Sequence, residues 1–269
     1  MFNLIKTDLK RIVKDKLFLV IGIIGVVFAF LTPLLMFAVT SMMEDDAVVM
    51  LGMSINAKTM FFQSFNPAND FGLVATVLLC VILCKDFSHG TVRNKIIVGK
   101  SRFSVFTSSC IASCIILCGL MLVYGALTLG VSLMFFEYQP TPFTVNDFGY
   151  AVVTLVFKMM TFAVTSTLVA FLSVTMKNAG LCMVTFIAVV MLASIVGSVL
   201  TTAIIGVEDE IIKGVLEFFV KTNVFLSTVT GNGVTYSAYD VLCVVLSHLV
   251  YGATFYCLGV LAFSKKDIK

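Results

Sequence analysis

Six long apolar stretches, parted by short polar segments, run along this chain of 269 residues. A helix needs about 20 apolar residues to cross a bilayer. By that measure the stretches predict spans at Leu17–Met43, Asn66–Cys84, Phe103–Phe136, Phe148–Met176, Ala179–Val207 and Tyr239–Phe263. The second is the weakest: its unbroken apolar core, Phe71–Cys84, is too short alone, so the span is extended outward to Asn66. The apolar runs are continuous rather than alternating, which predicts membrane helices and not a barrel. Pro33 is expected to kink the first span. The first run is far longer than the core of a signal peptide and no small-x-small site follows it, so it is expected to stay uncleaved. The fold class predicted is an all-α membrane protein of six transmembrane helices, with a membrane domain over 17–263 and a tail over 264–269.

The polar segments carry their own patterns. In Met1–Lys16, the residues Phe2, Ile5, Leu9, Ile12 and Val13 recur at helical spacing among Lys and Arg, which predicts an amphipathic helix lying on the membrane surface. The loop over 85–102 reads as a short helix between two breaks. Gly90 can end the preceding helix, Thr91 can cap a new one, and Gly99 stands where a helix-ending glycine belongs. Ser101 can then cap the third span. Within the short helix Val92, Ile96 and Ile97 form an apolar edge, with Arg93 and Lys95 pointing elsewhere. A third segment, 206–238, holds an acidic stretch followed by Ile211, Ile212, Val215, Leu216, Phe218 and Phe219, which predicts an interfacial helix.

Composition removes the soluble alternatives. The chain is 59% hydrophobic and 12% charged, against about 45–50% and about 25% in soluble domains. Its mean hydropathy is +1.08. Charge then sets the orientation. Lys6, Lys10, Arg11, Lys14, Lys16, Lys85, Arg93, Lys95, Lys100, Arg102, Lys177, Lys265, Lys266 and Lys269 fall on one side, and only Lys58, Lys213 and Lys221 on the other. The positive-inside rule places the first group, and both termini, in the cytoplasm of a multi-pass cell-membrane protein. The acidic residues lean to the outer side: Glu44, Asp45, Asp46, Glu137, Asp147, Glu208, Asp209, Glu210 and Glu217.

Candidate chemistry is sparse. All eight cysteines fall in or beside spans, so no extracellular disulfide framework is expected. Cys110, Cys114 and Cys118 share one helix face, among Ser, Ala and Gly, where small residues ease helix contact. Gly99-Lys100-Ser101 resembles the end of a phosphate-binding loop, but position 94 is Asn and no strand precedes it, so that reading fails. His89 and His248 lie about half a membrane apart on this topology and cannot share a metal in one chain. Two ionisable residues within spans remain, Lys158 and His248. They sit at similar depth in the outer half and are candidates to face a central cavity and contact an anionic or amphipathic substrate. The alternative is a buried polar contact between helices.

The loop pattern carries a resemblance. Asp86, Phe87, Gly90, Thr91, Arg93 and Asn94, then Gly99, Ser101 and Arg102, resemble the cytoplasmic loop after the second span of type-2 ABC-transporter permeases. The basic segment before span 1, the six spans and the larger outer segment before span 6 match that layout too. The chain departs from the pattern in having Asp86 where many members have Glu, and Gly99-Lys100 where a Pro often precedes Ser-Arg. The resemblance implies that 85–102 forms a coupling helix, with Ile96 among its docking residues, that seats on a cytoplasmic ATPase subunit. It implies no cofactor in this chain, ATP and Mg on that partner, and a second permease chain, identical or related, completing the pathway. The expected activity is outward movement of a hydrophobic or amphipathic substrate such as a peptide, an antimicrobial peptide or a lipid-like molecule. The partners expected are the ATPase, the second chain and the lipid bilayer, and no nucleic acid. Two readings compete: an ion-coupled secondary transporter, which predicts broken helices and intramembrane carboxylates, and a membrane scaffold that transports nothing.

Overall fold

The computed structural model describes residues 1–42, 56–68, 70–88, 91–139, 141–176, 178–225 and 236–265. Among them are ten helices and no strand. In chain order these are α1 (Phe2–Lys14), α2 (Lys16–Met42), α3 (Ala57–Ser64), α4 (Asp70–Ser88), α5 (Thr91–Ile97), α6 (Arg102–Ser132), α7 (Val145–Thr175), α8 (Ala179–Ile205), α9 (Glu210–Thr222) and α10 (Ala238–Lys265). Five of them, α2, α6, α7, α8 and α10, are long and apolar enough to cross a membrane. A sixth arises if α4 and α5, bent by 48° to each other, count as one span. The outward faces of these helices are apolar: Ile23, Val27 and Phe30 on α2, Val184, Ile195 and Val199 on α8, and Leu249 and Val250 on α10 are all exposed. Soluble proteins do not present apolar surface on that scale. The chain is embedded in a membrane.

Helices α6 and α7 form the centre. Helix α10 lies along α7, α2 along α6, and α4 is wedged among α2, α7 and α8. Glycines let rings enter the helix contacts. Phe65 sits where a Cβ on Gly125 would lie, Phe106 does the same at Gly259, and Phe71 lies 2.8 Å from the Cβ position of Gly25. Close approach at small residues is the usual basis of helix association where no hydrophobic drive is available.

The second apolar stretch is built differently from its prediction. Helix α4 begins at Asp70, with φ +41°. Asn66, expected inside a continuous span, lies in a non-helical turn at Phe65–Ala68, where its Oδ1 accepts from the Ala68 amide. Before the turn comes α3, which was not expected at all. Its first amides, on Ala57 and Lys58, donate to the carbonyls of Glu137 and Tyr138 beyond the end of α6. From there α3 runs along α6 down to the level of Gly125, and α4 continues from Phe71, whose ring lies 4.7 Å from that of Tyr124.

Capping chemistry marks several helix ends, the predicted start at Ser101 among them. Ser101 accepts from the Ser104 amide at 3.2 Å, Asn178 caps α8, Thr144 and Asp147 close a capping box on α7, and Asp209 caps α9. Gly99 ends α5 at φ +87°, a left-handed backbone that glycine adopts without strain. Helix α2 runs through Pro33 without interruption.

Candidate functional site

Two groupings collect the residues singled out by sequence, one at each end of the bundle. At the basic end, α1, the end of α4, α5 and the start of α6 meet. Helix α5 turns Val92 inward, fully buried, and rests Ile96 against the core. Its other face carries Arg93 and Asn94 and leads into Ile97, 70% exposed, and Val98, 76% exposed. The ten residues expected to dock a partner therefore divide. Arg93, Asn94, Gly99 and Ser101 are exposed, and Thr91 is half-buried. Asp86, Phe87, Ile96 and Arg102 face the protein itself. Phe87 packs edge-on against Phe263 at 5.8 Å, and Arg102 Nη1 donates to the carbonyls of Phe263 and Ser264 at 3.3 and 2.7 Å, closing the end of α10. Gly90 lies outside the described residues.

An ionic network holds α5 in place. Asp8, 1% exposed, accepts from Lys95 of α5 and, at 2.7 Å, from Ser108 Oγ of α6. Arg11 lies 3.7 Å from Asp8 and pairs with Asp86 at the end of α4. Burial pushes the Asp86 carboxyl up to about 6, against the opposing pull of Arg11 and Lys95. Four helices are thus tied by one set of charges. Asp8, at the centre of this network, was not singled out in the sequence. The signal was present: Leu4, Asp8 and Ile12 fall at i, i+4 and i+8, and this stripe is the buried one. An open groove of about 390 Å³ runs between α1 and α5, lined by Leu4, Thr7, Asn94, Lys95 and Val98.

At the other end, Lys158 and His248 line the same small cavity, of about 10 Å³. That is room for about one water. Lys158 is 4% exposed and His248 5%. Lys158 lies thirteen residues into α7, about 20 Å from its start. His248 Nδ1 lies 2.6 Å from the Val244 carbonyl, to which it donates, and Nε2 lies 2.9 Å from Thr161 Oγ1. The turn after α3 supplies Phe65, Asn66 and Pro67 to the wall, and the chain after α9 supplies Asn223, Val224 and Phe225. Lys221 of α9 closes the ring and bonds Asp240 at 2.8 Å, a contact that raises its pKa. Asn223 Nδ2 donates to the Ala193 carbonyl at 2.8 Å and ties this wall to α8.

Other candidate chemistry is absent among the described residues. No group of three or more His, Cys, Asp or Glu side chains is placed to hold a metal, and the eight cysteines are free thiols.

Fold and sites together define a membrane-embedded, all-helical protein with one ionic cluster at its basic end and one basic cavity toward the other. By family, the chain belongs to DUF2705, described as a protein of unknown function, which matches residues 70–269. That match begins at α4, so it takes in α5 and the residues Lys158 and His248 but leaves out α1, Asp8 and Asn66. No curated protein and no solved structure matches the chain.

Proposed function

We propose that this chain is the membrane subunit of an ATP-driven exporter of the type-2 ABC class. In this reading it crosses the cell membrane six times, α3 and α4 together making the second crossing, with both termini and α5 in the cytoplasm. A separate ATPase binds ATP and Mg and seats on α5. A second permease chain, identical or related, completes the pathway, and a hydrophobic or amphipathic cargo moves outward through alternating exposure of the cavity between the two chains.

The observation that carries the reading is the build of α5. Its inner face is fixed to α1, α4 and α6 by Val92 and the Lys95–Asp8 pair, while Arg93, Asn94, Ile97 and Val98 form a mixed apolar and basic outer face. A helix so held can pass a push from outside to three other helices without yielding. A merely topogenic loop needs charge but no such anchoring.

The test is affinity purification in mild detergent with identification of co-purifying chains and an ATPase assay. It compares the native protein with Arg93→Glu/Ile97→Asp, two changes confined to the exposed face. A stoichiometric ATPase with the native chain, lost in the variant, is the expected result. No ATPase with a folded native chain sinks the reading. One observation favours a second reading, the ion-coupled secondary transporter: the helix break at Phe65–Ala68 borders the cavity that holds Lys158 and His248, as unwound segments do at transporter sites. Transport driven by an ion gradient in vesicles lacking ATP would decide for it.

A further inference from the structure

We infer that the basic face of α1 is a binding site for the phosphate of a lipid headgroup. Thr7, Lys10, Arg11 and Lys14 fall at i, i+3, i+4 and i+7, one stripe of the helix. With Asp15 they line an open pocket of about 480 Å³. Lys10 and Lys14 are exposed, and neither forms an ion pair within the described residues. Arg11 stands between them. Its Nη2 pairs with Asp86, but its Nε and Nη1 are buried and meet no acceptor among the described residues. Buried donors are rarely left so, and an oxygen entering from the pocket would take their hydrogens. A guanidinium offers a phosphate paired donors, and the two ammonium groups add charge. Among the described residues, Asp15 is the only carboxylate in the wall. Its Oδ1 accepts from the Leu17 amide at 2.9 Å, which turns it toward the start of α2. Thr7 gives its hydrogen to the Asn3 carbonyl at 2.7 Å, so the cations supply the donors.

The surroundings favour a lipid as the source of the phosphate. Phe2 and Val13 of α1 are exposed, and so are Leu19, Val20 and Ile23 in the first turns of α2, just after the pocket. A headgroup held by Lys10, Arg11 and Lys14 leaves its acyl chains beside this apolar surface. A free phosphate gains nothing from it. Such a site differs from the diffuse attraction of basic residues to an anionic leaflet, which any exposed lysine near the surface shares. Through Arg11 and Asp86 an occupant would also steady the contact between α1 and α4.

The site does not depend on an ATPase partner, so it stands or falls apart from the docking of α5. The test melts the full-length protein in nonionic detergent, followed by circular dichroism. Phosphatidylglycerol is compared with diacylglycerol of the same acyl chains, and inorganic phosphate with chloride at equal ionic strength. The expected result is a rise of about 3 °C in Tm with phosphatidylglycerol and none with diacylglycerol. Lys10→Gln/Lys14→Gln is expected to lose the rise. Lys6→Gln/Lys213→Gln, which removes the same charge at exposed lysines outside the pocket, is expected to retain it. A rise with inorganic phosphate but not with phosphatidylglycerol makes the occupant a free ion and overturns the lipid. Equal Tm in every medium for the native protein overturns the site, whether or not any variant folds, and so does an equal rise with diacylglycerol. A rise unchanged in Lys10→Gln/Lys14→Gln, or lost equally in both double variants, overturns it as well.

Discussion

Asp8 is the residue on which the basic end turns. A buried carboxylate facing Lys95, Ser108 and Arg11 is tolerated because each of its neighbours compensates it. Asp8→Leu leaves two cations without that partner and is expected to cost about 3–5 kcal/mol. Adding Lys95→Met is expected to recover most of the loss, a coupling that thermal melts of the four-member cycle would measure. Strict additivity would show that the two side chains do not act as a pair. Asp86, linked to Asp8 through Arg11, gives a pH signature. Its pKa rises from 3.8 to about 6 on folding because burial outweighs the pull of Arg11 and Lys95, with Asp8 and Asp15 adding to the rise. A folded state that holds the proton more tightly is favoured by this group in acid. The contribution is full below 3.8 and is lost as pH rises through about 6. Relative to Asp86→Asn, native stability is therefore expected to fall across that window and to stay level above it. A difference that rises with pH instead would mean that the Arg11 pair governs Asp86.

At the scale of elements, the α3–turn–α4 segment shows where sequence is informative and where it fails. The apolar runs of α2, α6, α7, α8 and α10 are long enough for length alone to place them, and the start of α6 at Ser101 and the end of α5 at Gly99 are written in capping chemistry. The segment before α4 has no such period. Helix α3 is eight residues with little amphipathic contrast, and what holds it is contact with α6, through Phe65 at Gly125 and the Glu137 and Tyr138 carbonyls. Tertiary contacts of that kind leave no trace in a window of sequence. For the same reason Lys158 and His248 could be named as intramembrane residues, but that they share one cavity with Asn66 and Asn223 depends on a turn that the hydropathy pattern hid. Similarly, the direction of Ile96 was ambiguous over so short a helix, and packing against the core decided it. Gly125→Ala tests the close approach. The added methyl overlaps the Phe65 ring, itself fully buried, and is expected to cost about 1–3 kcal/mol. Phe65→Leu in the same chain is expected to return part of it. A neutral Gly125→Ala would mean that the turn at Phe65 shifts freely.

For the whole molecule, the parity of the crossings fixes the topology. Five crossings would put α1 and the end of α10 on opposite sides of the bilayer, and six would put them on the same side. The contacts bear on this directly. Arg11 of α1 meets Asp86 at the end of α4, Asp8 meets Ser108 near the start of α6, and Arg102 closes α10 at Phe263 and Ser264. These residues gather at one end of the bundle. Lys58, Asp147 and the Lys221–Asp240 pair gather at α3, the start of α7 and the start of α10. Helix α4 is marginal by composition because Asp70, Lys85 and Asp86 sit at its two ends, yet those ends lie at different levels of α6. The charge bias agrees, since the basic residues mark the first end and positive charge is retained on the cytoplasmic side. The prediction is that single-cysteine probes at Lys10→Cys and Lys265→Cys, in a background without native cysteines, resist a membrane-impermeant maleimide on intact cells. Both should react after permeabilisation, and Lys213→Cys on α9 should react from outside throughout. Labelling of Lys265→Cys but not Lys10→Cys on intact cells would make the number of crossings odd. It would remove α4 as a span and place α5 where no cytoplasmic ATPase could reach it.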